Sequence, residues 1–136
     1  MEQLPPEIIN KPVLIVDDAG SMRALLSATL KSYGFKYVFE ATDGSEAYRL
    51  LQLKPIGLIF CDWEMPNKDG LQLFKDLKQE EKLKNIPFVL VTSMAELDKV
   101  KVAINEGVKD YIVKPFKEGT LLSKINGIFA SSVSSG

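Results

Sequence analysis

The sequence predicts an α/β fold, a doubly wound five-stranded parallel sheet in the order 2-1-3-4-5, on three observations. Five short strand-like runs alternate with five helical patterns along the 136 residues. The first, third and fourth runs are apolar almost throughout, as parallel strands covered on both faces must be. Breakers stand where helical patterns stop: Gly34, Pro55 with Gly57, and Gly107. Parallel neighbours need crossovers, and right-handed crossovers place helices on both faces of the sheet.

In chain order the strand runs are "PVLIVD" from Pro12, "YVFEA" from Tyr37, "GLIFCD" from Gly57, "PFVLVT" from Pro87 and "DYIVK" from Asp110. The first helical pattern holds Met22, Leu25, Leu26 and Leu30, and the second Ala47, Leu50 and Leu51. Leu71, Phe74 and Leu77 mark the third, Leu97, Val100 and Ile104 the fourth, and Leu121, Leu122, Ile125 and Ile128 the fifth. Spacings of three and four make each set one apolar stripe, whose ordinary meaning is core packing. Residues 1–10, with Pro5 and Pro6, and residues 131–136 read as flexible extensions, which leaves one domain over 11–130.

Composition narrows the function classes. With 46% hydrophobic and 26% charged residues the chain has the make-up of an ordinary globular domain. Its net charge of -1 gives no electrostatic case for nucleic acid or an anionic membrane. No apolar run approaches the roughly 18 residues of a membrane span, and the first eleven residues hold no signal-peptide core, so a cytoplasmic location is expected. The single cysteine, Cys61, lies inside an apolar run and is expected to pack as a small hydrophobe. Histidine is absent, which removes every mechanism that needs this chain to supply an imidazole.

The chemistry gathers at the strand ends. Asp17 and Asp18 close the first strand, Asp62 the third, Thr92 and Ser93 the fourth, and Lys114, followed by Pro115, the fifth. In open α/β sheets ligands bind outside the carboxyl ends of strands where the order reverses, here between strands one and three. Three clustered carboxylates repel one another, so one keeps its proton or a cation joins them. Without histidine the fitting cation is a hard, oxygen-liking ion, and Mg²⁺ is the usual choice where phosphate oxygens complete the shell. Such a metal, with a hydroxyl and an ammonium opposite, suits phosphoryl transfer, and a carboxylate can serve as the nucleophile. Asp62, on the central strand opposite the other two acids, is the candidate.

From about Lys11 to Phe129 the motifs "DD", "DWEMPNKDG", "VTS" and "YIVKPF" resemble the receiver domains of two-component response regulators, most closely the stand-alone chemotaxis receivers that bind the flagellar motor switch. The resemblance implies a flavodoxin-like (βα)5 fold and a signalling switch, not a turnover enzyme, that assists its own phosphorylation and dephosphorylation. It implies that Asp62 accepts phosphate from a partner histidine kinase. Mg²⁺ would be held by Asp18, Asp62 and the backbone carbonyl of Glu64, with Asp17 in or near the metal shell. Thr92 and Lys114 would hold phosphoryl oxygens, and Pro115 would set the turn that aims Lys114, through a cis bond. Thr92 and Tyr111 would form the switch, remodelling the fourth helix, fifth strand and fifth helix for a downstream target. Monomeric behaviour and a phosphatase partner are expected as well.

Some residues stay open between two readings. Glu64 and Met94 match positions that tune phosphate lifetime in such receivers, or are plain surface residues; Tyr111 matches the switch aromatic, or is a half-buried edge-strand ring. Gly20 loosens the start of the first helix, with Ser21 as a candidate cap. Two other function classes remain beside the switch: a constitutive binding module that uses no phosphate, and a Mg²⁺-dependent phosphatase with an aspartate nucleophile. The second lacks an Asp two residues after Asp62 and any cap insertion.

Overall fold

The computed structural model describes residues 4–65 and 67–134. Its five strands, β1 (Val13–Val16), β2 (Val38–Ala41), β3 (Leu58–Asp62), β4 (Phe88–Ser93) and β5 (Asp110–Lys114), lie all parallel in the order β2-β1-β3-β4-β5. The expected order and alternation are therefore those of the molecule. Between the strands run α2 (Gly20–Ser32), α3 (Gly44–Leu53), α4 (Gly70–Lys78) and α5 (Leu97–Asn105), and α6 (Glu118–Ser134) follows β5. A four-residue helix, α1 (Pro6–Ile9), precedes them, so the five expected helices are α2 to α6.

Alternate residues of each strand feed two cores, because successive side chains point to opposite faces. Leu14, Val16, Ile59, Cys61 and Leu90 pack with Ala47, Leu51, Leu73, Phe74, Leu77 and Ala103 of α3, α4 and α5. Val13, Ile15, Phe60, Val89, Val91 and Ile112 pack with Leu26, Leu30, Leu121 and Ile125 of α2 and α6. Cys61 is fully buried, and burial foremost pushes its thiol well above the ordinary range, in keeping with a packing role. Two stripe residues depart from expectation: Leu25 and Ile104 are about half exposed. The inward face of α2 carries Leu26, Ser27 and Leu30, and that of α5 carries Val100 and Ala103. Small Ala103 takes the place that the sequence offered to Ile104.

Local chemistry sets the boundaries. Asp43 and Asp69 cap α3 and α4, each accepting a backbone N–H three residues on at 2.8 Å. Gly34 and Gly107 follow α2 and α5 at φ near 110°, a left-handed conformation that glycine adopts without a Cβ penalty. Ser21 does not cap α2; Ala19 is the cap residue, and it has no side-chain oxygen to accept from the first-turn N–H groups.

Part of the expected N-terminal extension is docked. Leu4 and Ile8 are buried in the second core with Tyr33, Phe35 and Phe129, and Lys36 N donates to Ile9 O at 3.2 Å. Burial of one such side chain contributes about 1.5–3 kcal/mol, enough to hold a helix too short to form alone. At the other end α6 runs on to Ser134, past the expected boundary at residue 130. Residues 1–3 and 135–136 of the two expected extensions lie outside the described residues.

Candidate functional site

The carboxyl ends of β1 and β3 are adjacent because these strands pair from Val13 opposite Leu58 to Val16 opposite Cys61. Asp17 and Asp62 follow in that register, and carboxylate oxygens of Asp17, Asp18 and Asp62 lie within 4.8 Å of one another. Asp17 and Asp62 are buried while Asp18 is exposed. The Asp17 carboxylate is fixed from below by Ala19 N, which donates to Oδ1 at 2.8 Å. Its backbone oxygen accepts from Arg23 Nη1 at 2.7 Å, and Arg23 Nε in turn bonds Glu40 at 3.1 Å.

Lys114, at the end of β5, reaches across β4. Its Nζ donates to Asp62 Oδ1 at 3.1 Å and stands 4.0 Å from Asp17 Oδ2. The Lys114–Pro115 bond is cis. Thr92, wholly buried, lies opposite Val113, one residue before the Ser93–Lys114 pair. Tyr111 pairs with Leu90 and is half buried against the first core, with Lys124 Nζ 5.8 Å from the ring centre. Since side chains alternate, Thr92 and Tyr111 belong to the same face of the sheet, the one that α5 covers.

Crowding shifts the acids as electrostatics requires. Burial first and the Asp17 charge second push Asp62 from 3.8 up to about 6, against the pull of Lys114. Asp17 is raised too, by burial, with the Ala19 hydrogen bond opposing. Asp17 Oδ2 is buried without a hydrogen-bond partner. A buried oxygen so placed, beside two further carboxylates and no nitrogen or sulfur donor, fits a hard divalent cation that keeps several waters. Asp17, Asp18 and Asp62 are the side chains that would hold it.

The Glu64 side chain lines the same cavity, but its carboxylate is exposed and bonded to Lys99 Nζ at 3.1 Å, outside the acid group. That contact, first among its causes, holds the Glu64 carboxyl below its ordinary value. The backbone around Asp62 is closely packed. Gly70 N donates to Trp63 O at 2.8 Å, and a Cβ on Gly70 would stand 2.5 Å from Asp62 O. Asn67, at φ 68°, donates to Asp43 Oδ2 at 2.9 Å and ties this loop to α3.

Residues that sequence reasoning did not place complete the rim. Arg23 and Gly70 are two, and Glu96 is the third: its Oε1 accepts from the Thr92 hydroxyl at 3.4 Å. Glu96 had a legible signal, since Ser93-Met94-Ala95-Glu96 is a capping-box pattern. Asp18, Asp62, Glu64, Met65, Ser93, Ala95, Glu96, Lys99 and Lys114 line one open cavity.

A parallel sheet whose strand ends converge three acids, a buried hydroxyl and an ammonium has the groups that phosphoryl chemistry at a carboxylate would use. Residues 13–126 match the family described as "Response regulator receiver domain", and the chain belongs to that family. It is 37% identical over 120 residues to the chemotaxis protein CheY-3 of Vibrio cholerae, covering 88% of this chain and 92% of that one. The chemotaxis protein CheY of Pseudomonas aeruginosa is 37% identical over 117 residues, 86% and 94% of the two chains. Among solved structures, Vibrio cholerae CheY4 superposes with a TM-score of 0.80 at 30% identity, over 88% and 98% of the chains. The signal receiver domain of a histidine kinase from Syntrophus aciditrophicus does so with a TM-score of 0.81 at 30% identity, over 89% and 91%. The protein is thus a CheY-like response regulator receiver, not a classical enzyme, and the family implies a cognate histidine kinase. Among the described residues no helix is long and apolar enough to cross a membrane.

Proposed function

We propose that Asp62 accepts a phosphoryl group from the histidine of a partner kinase and that the modified domain signals through α5, β5 and α6, in chemotaxis or a related phosphorelay. The observation that carries the reading is the grouping of Asp17, Asp18 and Asp62 within 4.8 Å with Lys114 bonded to Asp62. An Asp62 oxygen attacks phosphorus, the phosphorus–nitrogen bond of the donor breaks, and the departing imidazole regains a proton. A Mg²⁺ ion held by Asp17, Asp18 and Asp62, with the Glu64 carbonyl as a further oxygen, would supply neutralisation of the phosphoryl oxygens. Lys114, bonded to Asp62 Oδ1, offsets charge beside the acids, and burial of Asp62 limits access of water. Relatives named as chemotaxis proteins support that pathway; the flagellar motor switch as target and a phosphatase that resets the state are part of the same proposal.

The output follows from Thr92 and Tyr111. A phosphoryl oxygen draws the Thr92 hydroxyl toward Asp62, space opens under α5, and the Tyr111 ring turns into it. One charge-assisted hydrogen bond contributes about 1.5–3 kcal/mol. That shifts a two-state population by roughly one to two decades, so partial activity without phosphate is expected.

Incubation with acetyl phosphate or beryllofluoride and Mg²⁺ tests the reading. Stoichiometric modification that Asp62→Asn abolishes supports it; no modification, or multiple turnover, overturns it. Amide shifts in α5 and β5 induced by beryllofluoride should be large in wild type and small in Thr92→Ala. Lys114→Ala should impair modification and shifts together.

A further inference from the structure

The Thr92 hydroxyl is not idle: it donates to Glu96 Oε1 at 3.4 Å. The same oxygen accepts from Ser93 N at 3.2 Å and Ser93 Oγ at 3.1 Å. A capping box explains the Ser93 contacts, since Ser93 and Glu96 satisfy each other's backbone across the Met94–Glu96 turn. It does not explain the Thr92 contact. Nor does it explain why Glu96 Oε2 is buried without a hydrogen-bond partner, a state that costs free energy. Glu96 is therefore held, half satisfied, against the wholly buried Thr92 hydroxyl beside the phosphoacceptor cavity.

A hydroxyl has a single proton to donate. While Thr92 gives it to Glu96, it cannot give it to an oxygen on Asp62, and Glu96 lines the same cavity as Asp62 and Lys114. A phosphoryl group would also bring negative charge toward the Glu96 carboxylate, so the two anions compete for the proton and repel each other. We propose that Glu96 is a positioning residue that latches Thr92 in the unmodified state, and that its release sets how readily modification of Asp62 is coupled to output. Lys99 is a cation on that rim, bonded to Glu64 and already influenced by the Glu96 charge. It can take over the freed carboxylate. The inference rests on Asp62 as phosphoacceptor and adds the group that opposes it.

A double-mutant cycle separates a latch from a simple charge effect or a lost helix cap. Beryllofluoride is titrated in Mg²⁺ with Trp63 fluorescence as readout, for Glu96→Ala and Glu96→Gln, each in the Thr92 and the Thr92→Ala background. Gln keeps the size and an acceptor for the cap, so Glu96→Gln carries the cycle if Glu96→Ala fails to fold. In the Thr92 background Glu96→Ala should tighten beryllofluoride about fivefold, a modest effect suited to one charged hydrogen bond stretched to 3.4 Å. Glu96→Gln should give a smaller gain. In the Thr92→Ala background most of either gain should vanish, because no hydroxyl remains to be released. Equal gains in both backgrounds, or no gain in either, overturn the latch while leaving the phosphoacceptor reading intact. Failure of wild type to bind beryllofluoride, or equal binding by Asp62→Asn, overturns the phosphoacceptor reading itself, and the latch with it.

Discussion

Asp62→Asn should make the metal-free protein more stable at neutral pH. Asp62 is only 7% exposed, and burial together with Asp17 raises its carboxyl from 3.8 to about 6. A shift of roughly two units corresponds to about 3 kcal/mol of differential interaction. The sign follows from where the extra proton is held. Between pH of about 4 and 6 the folded state keeps a proton that the unfolded chain has released, so this group's contribution is fullest below about pH 4 and falls as pH rises. Above about pH 6 the full penalty is present. Asn removes it while leaving Lys114 an oxygen to bond, although the ammonium loses a counter-charge and keeps only Asp17 at 4.0 Å. A net gain of about 1–2 kcal/mol, or about 3–6 °C in melting temperature, is expected near pH 7.5 in EDTA. Urea unfolding of both proteins from about pH 4 to 8 checks this, and the gap should close toward the acid end. Saturating Mg²⁺ should reverse the order, since it stabilises the wild type more. Equal stabilities at pH 7.5, or a difference that does not vary with pH, would refute the electrostatic account.

Other changes probe separate parts of the structure. Asp18→Asn should weaken Mg²⁺ binding at least about tenfold, read from quenching of buried Trp63; an unchanged affinity would exclude Asp18 from the metal shell. Gly70→Ala adds a Cβ 2.5 Å from Asp62 O and 3.2 Å from Leu90 Cδ1, and should cost about 1–3 kcal/mol in thermal melts, although Ala favours helices; a neutral result would mean the close approach is absent. Ile8→Ala should cost about 2–4 kcal/mol in urea unfolding, and a loss below about 0.5 kcal/mol would show that α1 does not dock.

Backbone-set positions were legible in the sequence, and side-chain competition was not. Asp17, Asp62, Thr92 and Lys114 stand at the ends of apolar runs, so once crossover handedness fixes the strand order their meeting follows from topology. Glu64 shows where that reasoning stops. The motif gives its backbone carbonyl a place near the metal and its carboxylate a place beside the site, but the partner of that carboxylate, Lys99, lies 35 residues away and is not written in the motif. The four residues of α1 are too few to display a helical period, and their burial depends on a surface that Tyr33, Phe35 and Phe129 create only after folding. Glu96 falls between these cases. Its capping box is a local pattern, but the contact with the Thr92 hydroxyl also needs Thr92 to be the last wholly buried residue of β4. A capping glutamate and a strand-end threonine are each unremarkable alone. Their separation of four residues lets one carboxylate serve both the cap and the hydroxyl, and so ties the start of α5 to the carboxyl end of β4.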